Sequence, residues 1–309
     1  MSRRAVVYLY TQTGQLREVA EALTAPLEAD GWRIRWVDVR PRVAFPFPWS
    51  IWQFFEVFPR AVDPDAFVQL VEPPGGFGAE QDEREVVVLA YQVWYLSPSL
   101  PIRSLVAGHP EAFRNRRVIS LIACRNMWYS AAVEVAALLR TAGARRLEVI
   151  ATTDTRQQAT SLVTTLRWLL TGKREPFLWF ARAGVGDAEL ARVTAIGRSI
   201  AERGNCPSDA APIVPTLAVA DLFAGRLFRN WGATVRSAGR FGTAAHAASL
   251  VSFVVGLAIG IVAGIPLIGV ATLAGGARFE TWISGAVHRE ISFGELAVPD
   301  ATKRDRAIR

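Results

Sequence analysis

The chain has 309 residues, enough for one large or two modest domains, and half of them are hydrophobic (51%). Its formal net charge of +7 comes from arginines that run along the chain and cluster around one apolar stretch. A membrane surface explains that distribution better than nucleic acid does, and no nucleic-acid partner is expected. The two cysteines, Cys124 and Cys206, make no disulfide framework, and His109, His246 and His288 are scattered. This fits a reducing cytoplasm and excludes a metal site or a Ser-His or Cys-His nucleophile.

The start, "MSRRAVVYLYTQTG", has the positive charge of a signal peptide, but its apolar run is too short and no cleavage site follows. The N-terminal part is expected to stay in the cytoplasm. "AVVYLY" reads as a buried strand. "LREVAEALTAPLEAD" then carries Leu16, Val19, Ala20, Leu23 and Leu27 at the spacing of a helix with one face on a sheet. "RIRWVDV", "EVVVLAY", "RVISLIAC" and "LEVIATT" are further strands, with "SAAVEVAALLRTAG" a helix that ends on a glycine cap. Strands alternating with helices predict an α/β fold, a flavodoxin-like doubly wound five-stranded parallel sheet over residues 1–204.

An irregular insertion at about 41–80 holds seven aromatics between Phe45 and Phe58, with prolines at 46, 48 and 59. So much ring surface must pack on the sheet, line a pocket or touch lipid. Residues 160–204 read as helical, and "NCPSDAAPIVP" marks a linker at 205–216. The remainder, 217–309, is a basic helical region, and from Thr243 to Ala277 it contains no Asp, Glu, Lys or Arg. An apolar membrane segment is expected at about 247–277, where Gly256, Gly260 and Gly264 form a small-residue face followed by Pro266. Arginines flank it on both sides. The positive-inside rule therefore favours a re-entrant or interfacial hairpin over a single span, with a buried soluble helix pair as the other reading.

The chemistry is concentrated at the ends of the strands. Thr11-Gln12-Thr13-Gly14-Gln15 sits between the first strand and its helix, where a helix N-terminus offers unpaired N–H groups to an anion. The loop looks like the flavodoxin signature T-x-T-G-x-T, which binds the FMN phosphate; here the last Thr is Leu16. "TGK" at 171–173 and "GVGDAE" at 184–189 fail as nucleotide loops. In a doubly wound sheet the ligand lies at the carboxyl ends of the strands. Gln92, Val93, Trp94, Tyr95, Cys124, Arg125, Asn126 and Trp128 are therefore the expected remaining contacts to FMN. Trp94, Tyr95, Trp128 and Tyr129 are candidates to stack on its ring, and Arg125 to hold a reduced ring or an anionic substrate.

The segments "YTQTGQL", "FPFPWS", "FFEVFP", "YQVWYLSPSLP", "ACRNMW" and "RWLLTGK" together resemble the bacterial family of dialkylresorcinol condensing enzymes. These are flavodoxin-like proteins that accompany ketosynthases in alkylresorcinol and aryl-polyene pathways, and the likeness covers roughly residues 4–185. No condensing nucleophile set is visible, so the resemblance implies the step after condensation: removal of two hydrogens from a dialkyl-cyclohexane-1,3-dione to give the aromatic resorcinol. On this reading Arg125 holds the enolate and Tyr91 or Tyr95 relays a proton. The expected protein is a membrane-associated FMN oxidoreductase on the cytoplasmic face of the bacterial inner membrane. Its expected partners are membrane lipid, a hydrophobic small-molecule substrate, a ketosynthase of the same pathway and a second copy of the chain. An NAD(P)H-dependent quinone reductase, a flavodoxin-like electron carrier and a non-catalytic membrane-anchored binding protein stand as alternatives.

Overall fold

The computed structural model describes residues 3–78, 85–154, 158–180, 182–260 and 265–294, with side chains of 158, 159, 162 and 265–274 outside the description. In chain order the elements are β1 (Arg4–Leu9), α1 (Gln15–Ala29), β2 (Arg33–Asp38), β3 (Arg40–Pro41), α2 (Ile51–Glu56), α3 (Phe58–Ala61), β4 (Leu70–Val71), β5 (Val86–Trp94) and β6 (Ser97–Pro98). There follow α4 (Leu100–Gly108), β7 (Arg117–Cys124), α5 (Tyr129–Thr141), β8 (Arg146–Thr153), α6 (Gln158–Thr171), α7 (Asp187–Arg203), α8 (Pro215–Gly239), α9 (Thr243–Ile259) and α10 (Ile265–Ile291).

The sheet runs β2-β1-β5-β7-β8 with every neighbouring pair parallel, and only the short β6 adds an antiparallel partner to β5. That order is the flavodoxin-like doubly wound arrangement. Its central strands β1, β5 and β7 are buried on both faces, which is why they read as continuous apolar runs. Along β1, Val6 and Tyr8 enter one core cluster and Ala5, Val7 and Leu9 the other. Leu16, Val19 and Leu23 of α1 and Ile196 and Ile200 of α7 cover one face. Gly197 lets these two helices touch, since a Cβ there would overlap the carbonyl of Leu23. Ile102 and Leu105 of α4 and Val135 and Leu139 of α5 cover the other face.

Helix α4 has no counterpart among the helices expected from the sequence. It opens on Pro101 in its first turn and is buried from Leu100 to Val106, so it carries no polar stripe to betray its period. The stretch expected as a linker is stitched along the sheet edge, with Ala151 N donating to Ala210 O (3.1 Å) and Cys206 N to a Glu148 carboxylate oxygen (2.9 Å).

The C-terminal helices pack on this domain. The buried side of α8 is Ala218, Asp221, Gly225, Gly232 and Val235, small enough for Gly225 to meet Ser130 and Gly232 to meet Val62. Leu250 and Phe253 of α9 join Phe58, Val62 and Val235, and Val287 and Ile291 of α10 join the main core. Gly276 (φ 62°, ψ −175°) breaks α10 into two helical pieces. No helix among the described residues is long and apolar enough to cross a membrane. The expected segment at about 247–277 falls partly on residues 261–264, outside those described. Its described part begins on a helix docked by Leu250 and Phe253, which a count of apolar residues does not anticipate.

Asp221 ties α8 to the domain. Its carboxylate accepts from Tyr129 N (3.0 Å) and Ser130 N (2.9 Å), serving the uncapped start of α5 from another helix, while Ser130 Oγ donates to its carbonyl (3.1 Å). Burial pushes the carboxyl up from 3.8 to about 6, against the pull of these donors. Asp221→Ala is expected to cost about 2 kcal/mol by orphaning two buried amides. Because folding raises this pKa, the linked stability is full below about pH 4 and is lost as pH rises through about 6. Denaturant unfolding should therefore show wild type losing stability relative to Asp221→Asn across that window.

Candidate active site

The order of the sheet reverses between β1 and β5, whose helices α1 and α4 leave on opposite faces and open a crevice at the carboxyl ends of the strands. A cavity of about 230 Å³ lies there. The β1 loop contributes Gln12, Thr13 and Gln15; β5 contributes Gln92, Val93, Trp94 and Tyr95; β7 contributes Ala123, Cys124 and Arg125; and Asp154 follows β8. Most of the residues expected at the site thus converge on one space.

The β1 loop is a tight turn into α1. Gly14 sits at φ 79°, its N–H donates to Thr11 Oγ1 (3.1 Å), and its carbonyl accepts from Arg17 N (3.0 Å) and Glu18 N (3.3 Å). No side chain caps α1, and Thr13, just before its start, lines the cavity. Gln15 lines the cavity but is committed to the protein. In the orientation that satisfies both neighbours, its amide oxygen accepts from Val185 N and from Arg174 Nη2 (3.3 Å). Arg174 also grips Glu18 with two bonds (2.6 and 2.9 Å) and lies over the Trp168 ring (4.9 Å). Leu16 points into the core under α1, 1% exposed.

The aromatic insertion builds one wall. Trp94 is held edge-on by Phe45 (4.9 Å), Tyr10 (5.7 Å) and Trp49 (6.0 Å). Trp49 N donates to Leu169 O (2.8 Å), joining the insertion to α6, whose Thr165, Trp168 and Leu169 close another side. Tyr95 and Leu96 both take positive φ (50° and 64°) as the two-residue turn of the β5–β6 hairpin, a conformation that usually selects Asn-Gly. This strained turn sits in the cavity wall.

Of the two proton-relay candidates, Tyr95 lines the cavity and Tyr91 does not. The Tyr95 hydroxyl donates to Phe54 O (2.5 Å), and burial pushes its pKa well up. Tyr91 is fully buried in the core outside the cavity lining, where its hydroxyl accepts from Ser120 Oγ (3.2 Å) and is also raised by burial. Neither is a ready acid at neutral pH. Trp128 is likewise in the core, stacked on Tyr129 (4.3 Å), and Asn126 lies outside the lining. The Cys124 thiol is held neutral by burial.

Two charges remain in the lining. Burial lowers the Arg125 pKa and the nearby Asp154 carboxylate counters that effect. Asp154 N donates to Arg125 O (2.9 Å), and its Oδ2 accepts from Ser161 Oγ (2.8 Å). Sequence reading missed Asp154, although an acid directly after a strand's carboxyl end was the available signal. It also missed the lid residues of α6, whose role depends on where the chain crosses the sheet. Gln92 Oε1 is buried without a partner among the described residues. No group of His, Cys, Asp or Glu among those residues can hold a metal ion.

No family model matches the chain, and no curated protein matches it. Among solved structures, a flavodoxin from the domain Archaea is similar at 16% identity over 65% of this chain and 97% of that one, with a TM-score of 0.31.

Proposed function

We propose that the chain binds FMN and serves as a flavin-dependent oxidoreductase for a hydrophobic ring compound, a cyclic 1,3-dione that becomes a resorcinol-type lipid by losing two hydrogens. The observation that carries the reading is the switch-point cavity. An uncapped helix N-terminus stands on one side of it, aromatic rings on another, and an unpartnered buried amide oxygen within it.

The donor set suits the cofactor. The first amides of α1 and the Thr13 hydroxyl would hold a phosphate, and Gln92 Oε1 offers an acceptor to a heterocyclic N–H. When bound, FMN supplies a two-electron acceptor. The chain's own residues do the rest. Trp49, Trp94 and Trp168 exclude water from the cavity, which strengthens every charge inside it. Arg125 stabilises the enolate of the acidic dione, and the Asp154 carboxylate accepts the proton removed α to its carbonyl. The resemblance to proteins that accompany ketosynthases supports this choice of substrate and of a step that follows a condensation.

The test is the visible spectrum of the purified full-length chain, with the released cofactor identified by mass. About one FMN per chain, bleached by a dialkyl-cyclohexane-1,3-dione under anaerobic conditions, is the expected result. A colourless protein to which added FMN does not bind overturns the proposal.

A further inference from the structure

We infer that the outer end of α9 docks the protein onto an anionic bilayer surface as a shallow wedge that does not cross it. This goes beyond the flavin reading and is independent of it.

The inner side of α9 is spoken for. Phe253 stacks on Phe58 (3.8 Å, 12° between planes) and Leu250 is buried beside it. Its outer side is a stripe at four-residue spacing, Val251, Val255 and Ile259, exposed by 58, 54 and 62%. A helix that is apolar all round, with one side left open, calls for an apolar phase on that side.

Charge selects the phase. Between Thr243 and Ala277 there is no Asp, Glu, Lys or Arg, and the run is bounded by Arg240 and Arg278, both exposed. Cations at the two ends of an uncharged segment match anionic headgroups around a buried apolar insert. Trp282, 61% exposed just beyond Arg278, suits the interfacial depth where indoles concentrate.

Length sets the depth. The first piece of α10 runs only from Ile265 to the break at Gly276, about 16 Å of helix. The part of α9 beyond Phe253 adds about 9 Å. Each falls well short of the roughly 30 Å of a bilayer core. On either side of these two pieces the chain is held to the domain, by Phe253 and by Ile283 and Val287. The wedge therefore reaches into one leaflet. Phe58, under Phe253, also meets the Tyr95 ring (5.1 Å), so the docking helix and the cavity share an apolar wall.

Flotation of the full-length chain with phosphatidylglycerol-containing vesicles and with pure phosphatidylcholine vesicles tests this. Binding to the anionic vesicles, weakened by salt and released by alkaline carbonate, is expected. Val251→Asp/Val255→Asp/Ile259→Asp should lower the bound fraction about tenfold or more, with thermal unfolding unchanged because all three side chains are exposed. Absence of flotation, equal flotation of the variant, or carbonate-resistant binding that marks a span overturns the proposal. So does a dimer in the absence of lipid that the variant splits, since a second copy would then be the occupant. Flavin absorbance of the same samples reports separately on the oxidoreductase reading.

Discussion

Arg103→Met is expected to destabilise the protein by about 3–5 kcal/mol, among the largest effects available in this fold. The guanidinium is fully buried, and each of its three nitrogens donates a hydrogen bond. Nε donates to Glu134 Oε1 (2.6 Å), Nη1 to Asp63 O (2.7 Å) and Nη2 to Ala61 O (2.7 Å). Methionine fills much the same volume but leaves a carboxylate without its cation and two carbonyls without donors. The lost bonds are those that clip α3 and its flank to α4 and α5. Phe54 and Val57 of the cavity wall ride on the same insertion, as does Phe58 under α9. Guanidinium denaturation should show the loss, and limited proteolysis should cut first between α2 and β4. Arg103→Lys keeps the charge but cannot reach three partners with a planar fork, so it should recover only part of the difference. A loss below about 1 kcal/mol would mean that the insertion holds by its aromatic contacts alone.

The centre of the sheet was legible because β1, β5 and β7 are buried on both faces. "AVVYLY" and "RVISLIAC" carry no solvent face to interrupt the apolar run, and Leu16, Val19 and Leu23 show their period because one side of α1 is wet. The doubly wound order then brings Thr13, Trp94 and Arg125 to one cavity, since strand ends are where such a sheet gathers its loops. What was not legible depended on partners distant in sequence. Helix α4 is enclosed on all sides, so its periodicity has no contrast. Tyr91 sits one turn of the pleat from the cavity but faces α4 and α5 in the core, a choice made by strand register. The aromatic insertion lines the cavity with Trp49 and Phe54 and packs Phe58 in a core with α8 and α9. The apolar run after Thr243 read as a membrane segment on composition alone, and a composition window cannot see that Leu250 and Phe253 are docked on the domain.

Arg125→Met is expected to lower turnover of an acidic cyclic dione about 100-fold or more, in kcat more than in KM, while FMN content holds. The separation follows from the architecture: the proposed phosphate seat belongs to the β1 loop, and Arg125 comes from the end of β7. A charge in a water-excluded cavity acts most strongly on the anion that develops during reaction, so its loss should fall on the chemical step. Removing the guanidinium also strips Asp154 of a nearby cation. The double variant Arg125→Met/Asp154→Asn separates the two causes. If Arg125 serves only to keep Asp154 in its working state, the double variant should be no slower than Asp154→Asn alone. If Arg125 acts on the substrate anion directly, it should be slower than either single variant, and Arg125→Lys should restore part of kcat by returning the charge. Steady-state rates of the four variants, corrected for flavin content, decide between these roles.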